Sequence, residues 1–244
     1  MSQLVKALRE AGRSGGRPTA GFGARSQTAD RKRVVLVGAL AAADGAKVKA
    51  AFEAGADAVE ITLEPSAAAL AKVKDVASSA SGPVGIAFNG AIPADFDVTV
   101  LDASGVDFVR VDSGDVPAAI LLLEGPAIVL RVSEEFSDTM LKMLNFLPAK
   151  IIQVDSPADI ASFTVRELME KRVDRELIGK PLLMSVAAGV PASAAQVLAL
   201  VSPNGLVVPA ADVPAWKDAI ANLKEPSEDE DSGGANISLK APAA

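Results

Sequence analysis

The sequence predicts a single α/β domain, a (β/α)8 barrel of the TIM type. Three observations carry this: eight strand-length apolar runs alternate with helical stretches, four of those runs are polar on one face only, and 244 residues suit one such barrel. The strands are expected at 34–38, 57–62, 83–88, 107–112, 127–133, 150–155, 181–186 and 205–209. Helices are expected at 44–54, 65–80, 94–104, 116–124, 137–147, 158–178, 193–202 and 213–224, set off by Gly, Pro or Asp. Strict βα alternation implies a parallel sheet, either closed into a barrel or open and doubly wound.

The strand pattern selects the barrel. A central strand of an open sheet carries helices on both faces and reads as continuously apolar. Here Val59-Glu60-Ile61-Thr62, Val109-Arg110-Val111-Asp112, Leu130-Arg131-Val132-Ser133 and Ile152-Gln153-Val154-Asp155 alternate in one register. Valines, isoleucines and Leu130 point to one side, where helices would cover them, and polar residues point to the other. A closed lumen filled by polar side chains explains that asymmetry. The remaining strands, such as Val84-Gly85-Ile86-Ala87-Phe88, supply apolar fill.

The flanks differ from the barrel. Residues 2–11 read as a short amphipathic helix with Leu4, Val5 and Leu8 on one side, and 12–23 as a Gly/Arg-rich loop. From Pro226 the acidic run Glu228–Asp231, then Ser, Gly, Ala and Pro, cannot bury a core and reads as a disordered tail. The expected organisation is a basic N-terminal helix and extension over 1–32, a barrel over 33–225 and an acidic tail over 226–244. Residues 1–33 carry a net charge of +6 within a chain of net −7. This basic arm could contact a polyanion or an acidic partner, or could lie on the protein's own acidic body.

Composition excludes much chemistry. The chain has no Cys, His or Tyr, so disulfides, thiolate metal sites, histidine-ligated metals and Ser-His-Asp catalysis are impossible within it. Proton transfer would use Asp, Glu, Lys or a bound cofactor. Arg9, Arg13 and Arg17 interrupt the only place where a signal-peptide core could begin, and no apolar run is long enough to span a bilayer. The expectation is a cytoplasmic protein without a membrane partner. Its negative charge argues against nucleic acid, and a homo-oligomer stays open.

Barrel active sites lie at the C-terminal ends of the strands. Thr62, Glu64, Asn89, Asp112, Ser113, Ser133, Glu134, Asp155 and Ser156 fall there, with Glu60, Arg110, Arg131 and Gln153 one layer below. Glu60, Asp112 and Asp155 are the candidate catalytic residues and, through oxygen ligands, candidate holders of Mg²⁺. Thr62, Asn89, Arg110, Arg131, Ser133 and Gln153 are the candidate substrate contacts. The two arginines suit a carboxylate or phosphate, which guanidinium binds with two parallel hydrogen bonds. A weaker anion site is expected near Gly189 and Ser193, where backbone amides open a helix; the competing reading is an ordinary helix capped by Ser193. Asp112 and Asp155 could likewise act as caps, Asp155 above all because Ser156-Pro157 follows it. Lys150 opens strand six at the wrong end of the barrel for a Schiff base and is expected to face solvent. Trp216 is expected to pack on the barrel wall.

The stretch Gly55-Ala56-Asp57-Ala58-Val59-Glu60-Ile61-Thr62-Leu63 resembles strand two of the 2-keto-3-deoxy-6-phosphogluconate aldolase group. The resemblance implies a TIM barrel, a proton-transfer role for Glu60 and a substrate contact for Thr62. It covers some ten residues. The group's Schiff-base lysine on strand six is Gln153 here, and the arginine after its Thr-Leu is Glu64, so aldolase chemistry through a lysine is not expected.

Two functional readings follow. The first is a small-molecule enzyme, a carbon–carbon lyase or isomerase acting on a carboxylate- or phosphate-bearing compound in the barrel mouth. The second is a non-catalytic barrel scaffold or subunit, in which Glu60 and Asp112 balance Arg110 and Arg131 with no ligand.

Overall fold

The computed structural model describes residues 2–14, 34–88, 92–93, 96–112, 116–132, 136–157, 160 and 162–223. The alternating runs form eight parallel strands: β1 Val35–Leu40, β2 Ala58–Leu63, β3 Val84–Phe88, β4 Phe108–Asp112, β5 Ala127–Arg131, β6 Ile151–Asp155, β7 Leu182–Ser185 and β8 Gly205–Pro209. Each pairs with the next, and β8 returns to pair with β1, so the sheet closes. Closure removes the sheet edges and gives every strand one face toward the axis and one toward the helices. The helix-side core contains Val59, Ile61, Val109, Val111, Leu130, Val132, Ile152 and Val154. These are the residues that alternate with the polar set, so the expected register holds. Trp216 is fully buried in the same core, as expected.

The axis side carries a second apolar cluster at the N-terminal end of the barrel, including Phe108, Val129, Ile151, Leu183 and Val207. Small residues make room for it. A Cβ on Gly85 would lie 2.3 Å from the Phe108 ring, and one on Gly205 would lie 2.8 Å from Leu183 and 2.9 Å from Leu8. Helix α1, Gln3–Ser14, closes this end with Leu4, Val5, Leu8 and Ala11 buried against the cluster. Asp107, at the start of β4, anchors α1: it accepts from the backbone N–H of Gln3 at 2.7 Å and of Leu4 at 2.9 Å, and from Ser2 Oγ at 2.7 Å. A carboxylate there satisfies donors that the first helical turn cannot pair internally.

Outside the barrel run α2 Gly45–Ala54, α3 Ala67–Ser79, α4 Asp138–Met143, α5 Val165–Leu177, α6 Ala195–Ala199 and α7 Val213–Ala221. Asp44, Ser66 and Ser137 cap α2, α3 and α4 through their side chains. Two expected helices are single 3-10 turns among the described residues, Val98–Leu101 within 94–104 and Ala118–Leu122 within 116–124. Val98, Thr99 and Val100 are β-branched, and Asp97 draws its side chain onto Thr99, which together favour a turn. Pro117 and the Gly125-Pro126 pair leave too short a span for the second. The helix expected from 158 begins at Val165, where Thr164 and Glu167 form a reciprocal capping box. The Gly/Arg-rich stretch 15–33 and the acidic segment 224–244 lie outside the described residues. Among the described residues no helix is long and apolar enough to cross a membrane.

Candidate active site

Glu60 stands on β2 and Arg110 on β4, with β3 between them. The inner face of β3 offers only Gly85 and Ala87, which pair with Glu60 and Arg110 in the sheet. Nothing bulky separates the two side chains, and Arg110 Nε approaches Glu60 Oε1 at 3.2 Å. That contact is an ion pair not aligned as a hydrogen bond. Arg110 Nη1 donates to Asp112 Oδ1 at 2.9 Å, and Arg131 Nη1 donates to Asp112 Oδ2 at 3.3 Å. Arg131 then grips Asp155 with two bonds, Nε to Oδ1 at 3.1 Å and Nη2 to Oδ2 at 2.5 Å. The sequence thus builds a chain of alternating charge, Glu60–Arg110–Asp112–Arg131–Asp155, running from β2 to β6.

Exposure rises along this chain. Glu60 is 4% exposed and the Arg110 side chain 12%, whereas the side chains of Asp112, Arg131 and Asp155 are 39%, 37% and 42% exposed. Three carboxyls face two guanidiniums, so full ionisation leaves one negative charge in surplus. Glu60 relieves it most readily. Burial pushes its pKa above the ordinary carboxylate value of 4.5; the Arg110 charge opposes the shift, Asp112 adds to it and Arg131 opposes it. Its second oxygen, Oε2, is buried and has no hydrogen-bond partner among the described residues. The carboxylate of Asp155 holds the Arg131 guanidinium above its ordinary pKa, against partial burial.

Gln153, on β6, is 2% exposed and donates from Nε2 to Ser185 Oγ at 2.5 Å, while its Oε1 has no partner among the described residues. Ser185 ends β7 on the lumen face and is not among the sequence candidates; its signal is the alternation Leu183-Met184-Ser185, too short to stand out. Glu60 Oε2 and Gln153 Oε1 are thus two buried polar atoms of one lumen without a protein partner among the described residues.

The other candidates separate. Thr62 is half-buried at the end of β2. Asn89, Ser113, Ser133 and Glu134 lie outside the described residues. Asp155 does not cap a helix: both its oxygens are taken by Arg131, and Thr164 caps α5 instead. Ser193 does not cap either. It lies exposed inside a 3-10 turn, Ala192–Ala194, whose preceding residue is Pro191, with no side-chain cap bond. Gly189 is exposed with φ +87°, in the region that favours glycine. Among the described residues no three acidic side chains gather as a metal site would need. A guanidinium stands between Glu60 and Asp112, and another between Asp112 and Asp155. A cavity of about 670 Å³ meets the network at Asp155, lying between the ends of β5 and β6 and helix α5. Glu167, Glu170 and Asp174 border its outer side.

No family model matches the sequence, and no curated protein does. The fold has many solved counterparts. Thiamine phosphate pyrophosphorylase from Pyrococcus furiosus superposes with a TM-score of 0.57 at 13% identity, covering 79% of this chain and 98% of that one. An aspartate-to-asparagine mutant of the tryptophan synthase alpha-subunit from the same organism gives 0.58 at 19% identity, covering 77% and 93%. At these identities the likeness establishes the TIM-barrel fold and nothing about activity.

Proposed function

We propose that the chain is a small-molecule enzyme working by proton transfer, a carbon–carbon lyase or isomerase acting on a carboxylate- or phosphate-bearing substrate at the barrel mouth. The observation that carries this is Glu60: a buried carboxyl with a raised pKa and one oxygen without a partner among the described residues, joined through Arg110 and Asp112 to a water-accessible arginine. A carboxyl that keeps its proton to higher pH than usual suits general acid–base work. Arg131 would take the substrate anion by displacing Asp155, an exchange that exposure of both partners makes inexpensive. Gln153 Oε1 would accept from a substrate hydroxyl, and Thr62 would contact the substrate at the rim. The strand-two likeness to 2-keto-3-deoxy-6-phosphogluconate aldolases supports the same roles for Glu60 and Thr62. Gln153 stands where that group has its lysine, so the reaction would run through proton transfer rather than an imine.

The test is proton exchange. The purified chain, incubated in D2O with a panel of 2-oxo acids and sugar phosphates, should exchange the proton next to the carbonyl of at least one. Glu60→Gln should abolish that exchange. Absence of exchange across the panel, together with no calorimetric binding, would reject the reading.

One observation favours a second reading, a non-catalytic barrel subunit. Arg110 has a carboxylate on either side, and so does Arg131. A network satisfied in this way can serve as an internal brace. Arg110→Met that lowers stability while leaving every ligand interaction unchanged would support the brace.

A further inference from the structure

A second polar opening lies at the opposite end of the barrel from the mouth. Where the chain enters β6, β7 and β8 it leaves a cleft of about 460 Å³, bounded also by α1 and the last turn of α5. Its charged lining is Arg9, Lys150, Arg175 and Lys180, with no carboxylate among the described residues. In a chain of net charge −7 this is a local reversal of sign. Three other surface cations pair with acids, Lys47–Asp44, Lys49–Glu53 and Arg172–Glu176.

Here the main chain holds two of the four cations. Lys180 Nζ donates to the carbonyls of Leu147 and Ala149, the latter at 2.7 Å. Arg175 donates to the carbonyls of Ser202 at 3.2 Å and Ile178 at 3.0 Å. Carbonyls orient a cation but do not neutralise it. Burial, and then repulsion from Lys150, pulls the Lys180 pKa below its ordinary value; burial does the same to Arg175. Asn145 fixes the walls to each other, accepting from Gly179 N at 2.8 Å and donating to the Leu177 carbonyl at 2.9 Å. The result is a braced cleft that no carboxylate lines among the described residues, although the charge of Glu176 acts on Arg175 from outside the lining.

We propose that this cleft is a binding site for a small polyanion, a phosphorylated metabolite carrying two or more phosphoryl groups. Guanidinium and ammonium donors match phosphate oxygens, and convergent charge of one sign concentrates such an ion. The volume falls within the range of small-molecule sites, so it accommodates more than a single phosphate. The site is separate from the lumen and does not depend on what the lumen does. The chain itself contains one competing source of anionic oxygens, the run Glu228-Asp229-Glu230-Asp231 that follows α7 in sequence.

The probe is tripolyphosphate, titrated calorimetrically into the full chain at low and at physiological salt. Saturable one-to-one binding is expected, weakening as salt rises. Lys150→Gln and Arg9→Gln change exposed side chains; each should weaken binding at least fivefold with an unchanged melting temperature. Glu60→Gln should leave the affinity within twofold. Absence of saturable binding, or affinity within twofold of the parent in both cleft variants, overturns the proposal. A full chain with all four acids of 228–231 neutralised should bind equally well. Binding that becomes severalfold tighter would identify those carboxylates as the occupant and overturn the assignment to a metabolite.

Discussion

Replacing Arg110 with methionine removes the cation nearest to Glu60 while keeping a chain of similar length. Asp112 retains Arg131 at 3.3 Å, so the loss falls mainly on Glu60, whose side chain is 5% exposed. Leaving one member of a buried ion pair uncompensated costs about 3–5 kcal/mol. At roughly 2–4 °C per kcal/mol for a domain of this size, the melting temperature should fall by about 6–20 °C. Glu60 can escape the penalty by taking a proton, so the loss must depend on pH. Its folded pKa lies above the ordinary value of 4.5 because burial disfavours the charge. The folded state then binds more protons than the unfolded state, and stability declines as pH rises from the ordinary carboxylate range through the folded pKa. Below that range both states hold the proton and the cost vanishes. Arg110 pulls this pKa down, so its removal extends the decline to higher pH. Thermal melts followed by circular dichroism at pH 5 and pH 8 should therefore show a smaller Arg110→Met deficit at pH 5 than at pH 8. Glu60→Gln, which cannot ionise, should recover most of the pH 8 deficit when combined with Arg110→Met. An equal deficit at both pH values, or strict additivity of the two substitutions, would refute the assignment of a raised pKa to a buried, Arg110-paired Glu60.

Arg131→Gln should behave differently, because both it and Asp155 are more than a third exposed. Stability should change by less than about 1 kcal/mol in a urea titration, whereas any anion affinity of the mouth should be lost. Gly85→Ala inserts a methyl 2.3 Å from the fully buried Phe108 ring and should cost about 1–3 kcal/mol, read from the same titration. Phe108→Leu in that background should restore part of it. Leu8→Ala, at a side chain with 0% exposure in the closed end of the barrel, should cost about 2–5 kcal/mol. Asp107→Ala should cost about 0.5–2 kcal/mol by uncapping α1, and should raise hydrogen exchange in residues 3–8 before it does so in the strands.

Much of this molecule is legible in its sequence because the governing rules are local. Strand period and the polar alternation of Glu60, Arg110, Arg131 and Gln153 are set by side-chain direction along a single segment. The errors arise where local signals compete. Asp155 followed by Ser-Pro reads as a cap until Arg131, from a neighbouring strand, claims both its oxygens. Val98, Thr99 and Val100 sit between a helical spacing and a β-branched preference, and the preference prevails. Ser185 escapes notice because four residues of β7 are too few to display a period.

The barrel, the face each strand turns to the axis, and the absence of histidine, cysteine and tyrosine chemistry can all be read from the order of residues. Which charges meet depends on the folded arrangement of the strands. The link from Glu60 on β2 to Arg110 on β4 exists because Gly85 and Ala87 leave the space between them empty, and the closed end exists because Leu4, Val5 and Leu8 of α1 bury against the axis cluster while Asp107 anchors the first turn. The basic cleft also forms only on folding, from residues as far apart in the chain as Arg9 and Lys180. The physical reason is common to all three. Periodicity depends on bonds along one segment, but pairing depends on distances between segments, and those distances are set only when the sheet closes.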